Sequence, residues 1–189
     1  MNGTIELWTD GSCLNIGVDK PQPMGYGILV RLSTEEKPEG IDLLKVAVHG
    51  PNGTNNRAEL GAILFGLTLL TDSVKKDNLV KVCSDSEYAL GQAFGLYKIK
   101  KNVDLVRELQ KKVVEFSSIE SCHIKGHSGV EHNETVDDLA NTGRTAIGTT
   151  FWEPPYSTHT DGHKASYEIL VPGTPFLDLR NVVWSKTLG

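Results

Sequence analysis

Residues 4–12 read TIELWTDGS, and the rest of the chain is organised around this run. Residues 4–9 alternate apolar and polar side chains, the period of a half-buried strand, and Asp10-Gly11 reads as its end. A Gly- and Pro-rich loop, NIGVDKPQPMG, separates it from a second strand over 26–32. The EEKPEG turn leads to a third over 41–49. Three consecutive strands with short connections predict an antiparallel meander.

Beyond GPNGT the period changes. Ala58, Ala62, Ile63, Phe65, Leu67 and Leu70 mark a helix capped by Thr54 or Asn55. A short strand over 79–83 precedes a helix that starts at Ser84 or Asp85 and runs through Ala93. Asn102 reads as the cap of a helix over 103–116, with Val106, Leu109, Val113 and Val114 on one face. The last core strand covers 119–124, and a helix over about 133–144 follows the KGHSGVEH loop. This order predicts an α/β fold with a five-stranded mixed sheet, the meander plus two parallel strands joined by crossover helices. From Ala146 the composition shifts to Pro, Thr, His and aromatics. The chain therefore divides into a domain over 1–145 and an extension over 146–189. Phe151, Trp152, Tyr156, Phe176 and Trp184 argue that the extension packs on the domain or docks a protein partner.

The chain has 189 residues, 39% hydrophobic and 23% charged, enough for a proper core. No apolar run approaches the roughly 18 residues of a membrane span, and no leader precedes the first strand, so a cytoplasmic protein is expected; a monomer is the expected state. Cys13, Cys83 and Cys122 lie in or beside apolar segments and read as reduced, buried thiols. The net charge of −5, from 19 Lys and Arg against 24 Asp and Glu, opposes nucleic-acid binding overall. A local basic run, Lys98, Lys100, Lys101, Arg107, Lys111 and Lys112, offsets it.

Four carboxylates stand in short motifs: Asp10 in TDGS, Glu59 in TNNRAEL, Asp85 in SDSEY and Asp137 in HNETVDDLA. Singly, each has an ordinary explanation as turn, cap or solvated helix residue. Together they suit hard divalent cations, which favour oxygen ligands. Two such cations about 3.5–4 Å apart can clamp both oxygens of a phosphodiester undergoing displacement. Asp138 is an adjacent alternative to Asp137.

With TDGSCL, GYG (25–27), TNNRAEL, SDSEY, KNVDL (101–105), KGHSG and NETVDDLA in view, the chain from about Thr4 to Arg144 resembles the type 1 ribonuclease H family. The resemblance implies an endoribonuclease that cuts the RNA strand of RNA–DNA hybrids and leaves 5′-phosphate and 3′-hydroxyl ends. It implies two Mg²⁺ ions, for which Mn²⁺ can substitute, held by Asp10, Glu59, Asp85 and Asp137. His127 would shuttle protons or assist product release. Gly11, Ser12, Cys13, Asn55 and Asn56 would contact the hybrid's minor groove, where 2′-hydroxyls lie. Thr54 and Asn102 would hold a DNA-strand phosphate. A non-catalytic duplex binder and a transposase-like core are rival readings; the four acids argue against the first, the NNRAEL and KGHSG segments against the second.

The chain departs from the family pattern at three places. Asn52 stands where many relatives carry a basic residue, Glu87 where Gln is frequent, and AFGLYKIKKN runs directly into the next helix without a Trp- and Lys-rich protrusion. Weakened, strongly salt-sensitive hybrid binding by the core follows from these losses.

Overall fold

The computed structural model describes residues 3–14, 20–154 and 161–177. Tyr156 and Trp184 lie outside the described residues. The sheet begins with β1 (Thr4–Cys13), β2 (Gln22–Ser33) and β3 (Ile41–Gly53), followed by α1 (Asn55–Thr68) and α2 (Asp72–Asp77). Next come β4 (Leu79–Ser84), α3 (Glu87–Ala93), α4 (Val103–Val113), β5 (Ser118–His123), α5 (Glu131–Thr145) and β6 (Lys164–Ile169).

The strand order is β5-β4-β1-β2-β3-β6. β1, β2 and β3 form the expected antiparallel meander, while β4 and β5 run parallel to β1. The sheet has six strands where five were expected. The sixth comes from the extension, which pairs antiparallel with β3 from Leu44↔Ile169 to His49↔Lys164. The outer edge of β6 is met in turn by Trp152, which exchanges both backbone hydrogen bonds with Ala165 at 2.9 and 2.8 Å.

β1 does not stop at Asp10-Gly11. It continues to Cys13, because its partner β2 stays in register from Thr4↔Ser33 to Cys13↔Met24. Tertiary pairing overrides the turn preference of the Asp-Gly step. On the other side, β1 and β4 part after Trp8↔Cys83. This gap lies beyond the carboxyl ends of two parallel strands whose neighbours run to opposite sides, the place where open α/β sheets bind ligands.

The helices fill the two faces unequally. α1 is buried nearly all round, through Ala58, Leu60, Ile63, Phe65 and Leu67, and packs on β1 and β2 with α3 and α4 beside it. α5 covers the opposite face, over β2, β1 and β3. Its approach is unusually close. A Cβ at Gly27 would lie 1.9 Å from the Val136 carbonyl oxygen, so only glycine lets the helix backbone touch the strand there. α2 was not anticipated; its six residues and few apolar side chains leave no period to read.

Ala165, Tyr167, Phe176 and Leu177 join the main core, and Thr71 N–H donates to the Phe176 carbonyl at 3.2 Å. Ending the chain after Arg144 would strip these residues and bare the β3 edge. We expect the truncated protein to lose its cooperative urea transition, and Tyr167→Ala alone to cost about 3 kcal/mol. A truncated chain with an unchanged urea midpoint would overturn this.

Candidate active site

Asp10 sits on the α5 side of β1, opposite Gly27 on β2, and is 4% exposed. Neighbouring Gly11 turns to the α1 side, where an added Cβ would lie 2.3 Å from the Glu59 backbone nitrogen. That contact brings the first turns of α1 against the strand, and the Gly11 N–H donates to Glu59 Oε2 at 3.1 Å. Asp85 follows the end of β4, directly across the gap. One carboxylate oxygen from each of Asp10, Glu59 and Asp85 lies within 4.8 Å of the other two.

Asp137 projects from α5, the residue after Val136 at the Gly27 contact. It hydrogen-bonds the Asp10 carboxyl and, with Asp85 and His127, lines a cavity of about 190 Å³. Asp138, exposed like Asp137, does not line this cavity. The KGHSG loop lies over Asp85: a Cβ at Gly126 would sit 3.5 Å from Asp85 Oδ2. His127 is exposed and holds a left-handed backbone, φ 55°, between Gly126 and Gly129.

The four acids oppose one another. Burial, then the charge of Asp85 and the contact with Asp137, pushes the Asp10 carboxyl up to about 8. Burial and the charges of Asp10 and Asp85 hold Glu59 well above the ordinary carboxylate range. Burial and mutual repulsion thus favour proton retention by Asp10 and Glu59 in the metal-free protein. This donor set, all oxygen and starved of positive charge, fits hard divalent cations.

The expected substrate contacts divide in two. Thr54 caps α1, its Oγ1 accepting from Arg57 N–H at 3.3 Å, and Asn55 Oδ1 accepts from the Cys13 N–H at 2.9 Å. Asn55 and Asn56 are both exposed, and the Asn55 oxygen is engaged by that backbone N–H. Asn56 lines an open cleft of about 560 Å³ with Tyr88, Tyr97, Lys98, Lys100 and Lys101. Asn102 stands at the start of α4 but does not cap it: its φ is 55° and its side chain makes no cap bond. Instead Asn102 Nδ2 donates to Tyr88 Oη at 3.0 Å, and Oδ1 accepts from Arg57 Nη1 at 3.3 Å. Arg57 also grips Asp104 through two bonds of 3.2 Å, which holds the Asp104 carboxyl below its usual range.

Sequence reasoning missed Asn133, Glu134, Arg57 and Tyr88 as members of this neighbourhood. Asn133 is buried on α5, donates to Asp85 Oδ2 at 3.5 Å, and leaves its own Oδ1 without a partner. Each lies within a motif already singled out, next to a more conspicuous acid or asparagine; no spacing rule separates it from its neighbours.

The raised carboxyls make stability depend on pH. An unfolded Asp titrates near 3.9, so between about 4 and 8 the metal-free folded protein binds protons that the unfolded chain has released. Stability falls as pH rises through that window. We expect the Tm of the chelator-treated protein to drop from pH 5 to pH 8.5, and Asp10→Asn to flatten the drop and raise Tm at pH 8 by several degrees, at about 2–4 °C per kcal/mol. Millimolar Mg²⁺ should raise Tm more at pH 8 than at pH 5.5. A Tm insensitive to pH in both proteins would refute the raised carboxyls.

Comparison with known proteins agrees with this geometry. Residues 2–145 match the profile of the family described as RNase H. A ribonuclease HI of Neisseria meningitidis serogroup A is 33% identical over 156 residues, covering 76% of this chain and 97% of the relative. A ribonuclease H1 isolated from compost, LC11-RNase H1, superposes with a TM-score of 0.61 at 25% identity, covering 77% of this chain and 99% of that one. The same protein has been solved in complex with an RNA/DNA hybrid, and that structure matches with a TM-score of 0.59 at 23% identity, with the same coverage. With its glycine-set helices, its converging acids and a family match over residues 2–145, the chain belongs to the ribonuclease H family and is a hydrolase.

Proposed function

We propose that the chain is an endoribonuclease that hydrolyses the RNA strand of RNA–DNA hybrids with two divalent cations, giving 5′-phosphate and 3′-hydroxyl ends. The observation that carries this reading is the meeting of Asp10, Glu59 and Asp85 oxygens within 4.8 Å in the β1–β4 gap. The hybrid bound by a structural relative supports the substrate class. In this reading residues 1–145 hold the chemistry and 146–189 form a packed extension.

Asp10, Glu59 and Asp85 would hold one cation, and Asp10 with Asp137 the other. When bound, such cations supply Lewis acidity at the attacking and leaving oxygens of the phosphodiester. Asn133 steadies Asp85 through its amide. His127, exposed at the mouth of the Asp85–Asp137 cavity, carries a proton to the departing 3′ oxygen or eases product release. Backbone groups of Gly11, Ser12 and Cys13, with Asn55 and Asn56, meet the minor groove; Thr54 and Asn102 take a DNA-strand phosphate. The Arg57–Asn102–Tyr88 network presets the Asn102 side chain.

A labelled hybrid incubated with the full chain and Mg²⁺ tests the reading. We expect cleavage confined to the RNA strand, products that polynucleotide kinase labels only after dephosphorylation, and a loss of about 10³-fold or more in Asp10→Asn, worth several kcal/mol. Equal cutting of single-stranded RNA, or full activity in EDTA, would defeat it.

A further inference from the structure

One cation stands apart from the machinery assigned so far. Arg144 is the single basic residue of α5 (EHNETVDDLANTGRT) and sits in its last turn. Its root is fixed, since a Cβ at Gly25 would lie 2.3 Å from the Arg144 backbone nitrogen and 2.8 Å from its Cβ. Its Nε donates to Ser12 Oγ at 3.0 Å, and Ser12 Oγ in turn donates to Asn141 Oδ1 at 2.9 Å. The guanidinium is half-buried, and among the described residues no carboxylate forms an ion pair with it.

The placement follows one line. Ser12 is two residues beyond Asp10 on the same face of β1, about 6.6–6.8 Å further along the strand. Arg144 is seven residues beyond Asp137, almost two full turns, so both leave α5 on the same side about 10.5 Å apart. Strand and helix thus each carry a carboxylate at one end of a shared line and a polar or cationic group at the other. A phosphodiester chain whose scissile group lies at Asp10 and Asp137 would pass Ser12 and Arg144 within one or two nucleotides. With Nε tied to Ser12, the two terminal nitrogens form a fork suited to phosphate oxygens. A favourable placement at the helix C-terminus accounts for the charge, but it requires no tether to the TDGS segment.

We propose that Arg144 is a substrate-binding residue that grips a phosphate of the RNA strand beside the scissile one, held in register by Ser12 and Asn141. This rests on the hybrid-cutting function proposed above, and it supplies a cation on the RNA side in a chain without the basic protrusion.

The test uses the full chain. Hybrid binding by Asp10→Asn, with and without Arg144→Gln, is titrated from about 50 to 200 mM KCl, and steady-state cleavage is measured for Arg144→Gln alone. We expect the slope of log Kd against log salt to fall by about 1, and KM to rise about tenfold with kcat little changed. Arg144→Lys should restore the salt slope but only part of the affinity. A single neutral methylphosphonate walked along the RNA strand should weaken the native arginine at one position near the cut and leave Arg144→Gln unaffected there. An unchanged slope and KM in Arg144→Gln, while the native chain binds and cuts, would overturn the proposal. So would a lowered Tm with the same methylphosphonate penalty at every position, which marks a purely structural arginine. If the native chain itself neither binds nor cuts hybrid, the underlying function fails instead.

Discussion

Backbone touching backbone at two glycines is the constraint on which the rest depends. Gly11 admits the first turns of α1 against β1, and Gly27 admits the middle of α5 against β2. Glu59 and Asp137 leave those two helices at the points of contact, so they reach Asp10 from opposite faces of the sheet. Any side chain at either glycine would push a helix outward, and with it one carboxylate. The geometry that gathers like charges is thus fixed by the hydrophobic burial of α1 and by the seating of α5, neither of which involves the acids themselves.

That arrangement works against stability. Acids brought together with Asp10, Glu59 and Asp85 wholly or partly buried repel and lose hydration, which is visible in the raised Asp10 and Glu59 carboxyls. The compensation lies elsewhere: a core that runs through α1, the six strands and the extension, with Ala165, Tyr167, Phe176 and Leu177 inside it. The buried Arg31, paired with Asp42 at 2.6 Å and Glu6 at 3.5 Å, ties β2 to its neighbours away from the site.

Much of this was legible in the residues. The alternation in TIELWT, the apolar spacing from Ala58 to Leu70 and the face of Val106, Leu109 and Val113 each led to the element observed. Val114, expected on that face, is instead 80% exposed at the end of α4, which stops at Val113 rather than Phe116. The ends were less legible. β1 runs past Asp10-Gly11 because pairing with β2 outweighs turn preference, and α5 begins before Asn133. β6 was beyond reach for a different reason: its buried Ala165 and Tyr167 mark a strand, but nothing local names β3, more than a hundred residues earlier, as its partner. Within the site, spacing alone left Asp137 and Asp138 as neighbours, and only the phase of α5 over Gly27 distinguishes them. Asn102 occupies the cap position expected of it, yet its side chain serves Tyr88 and Arg57.

The raised carboxyls of Asp10 and Glu59 tie ion uptake to acidity. A cation entering among these oxygens would compete with the protons they retain, so occupancy is a competition between metal and hydrogen ion. Apparent metal affinity then steepens with alkalinity, and the heat of association carries a contribution from whichever buffer accepts the released proton. Acidification would lower that occupancy.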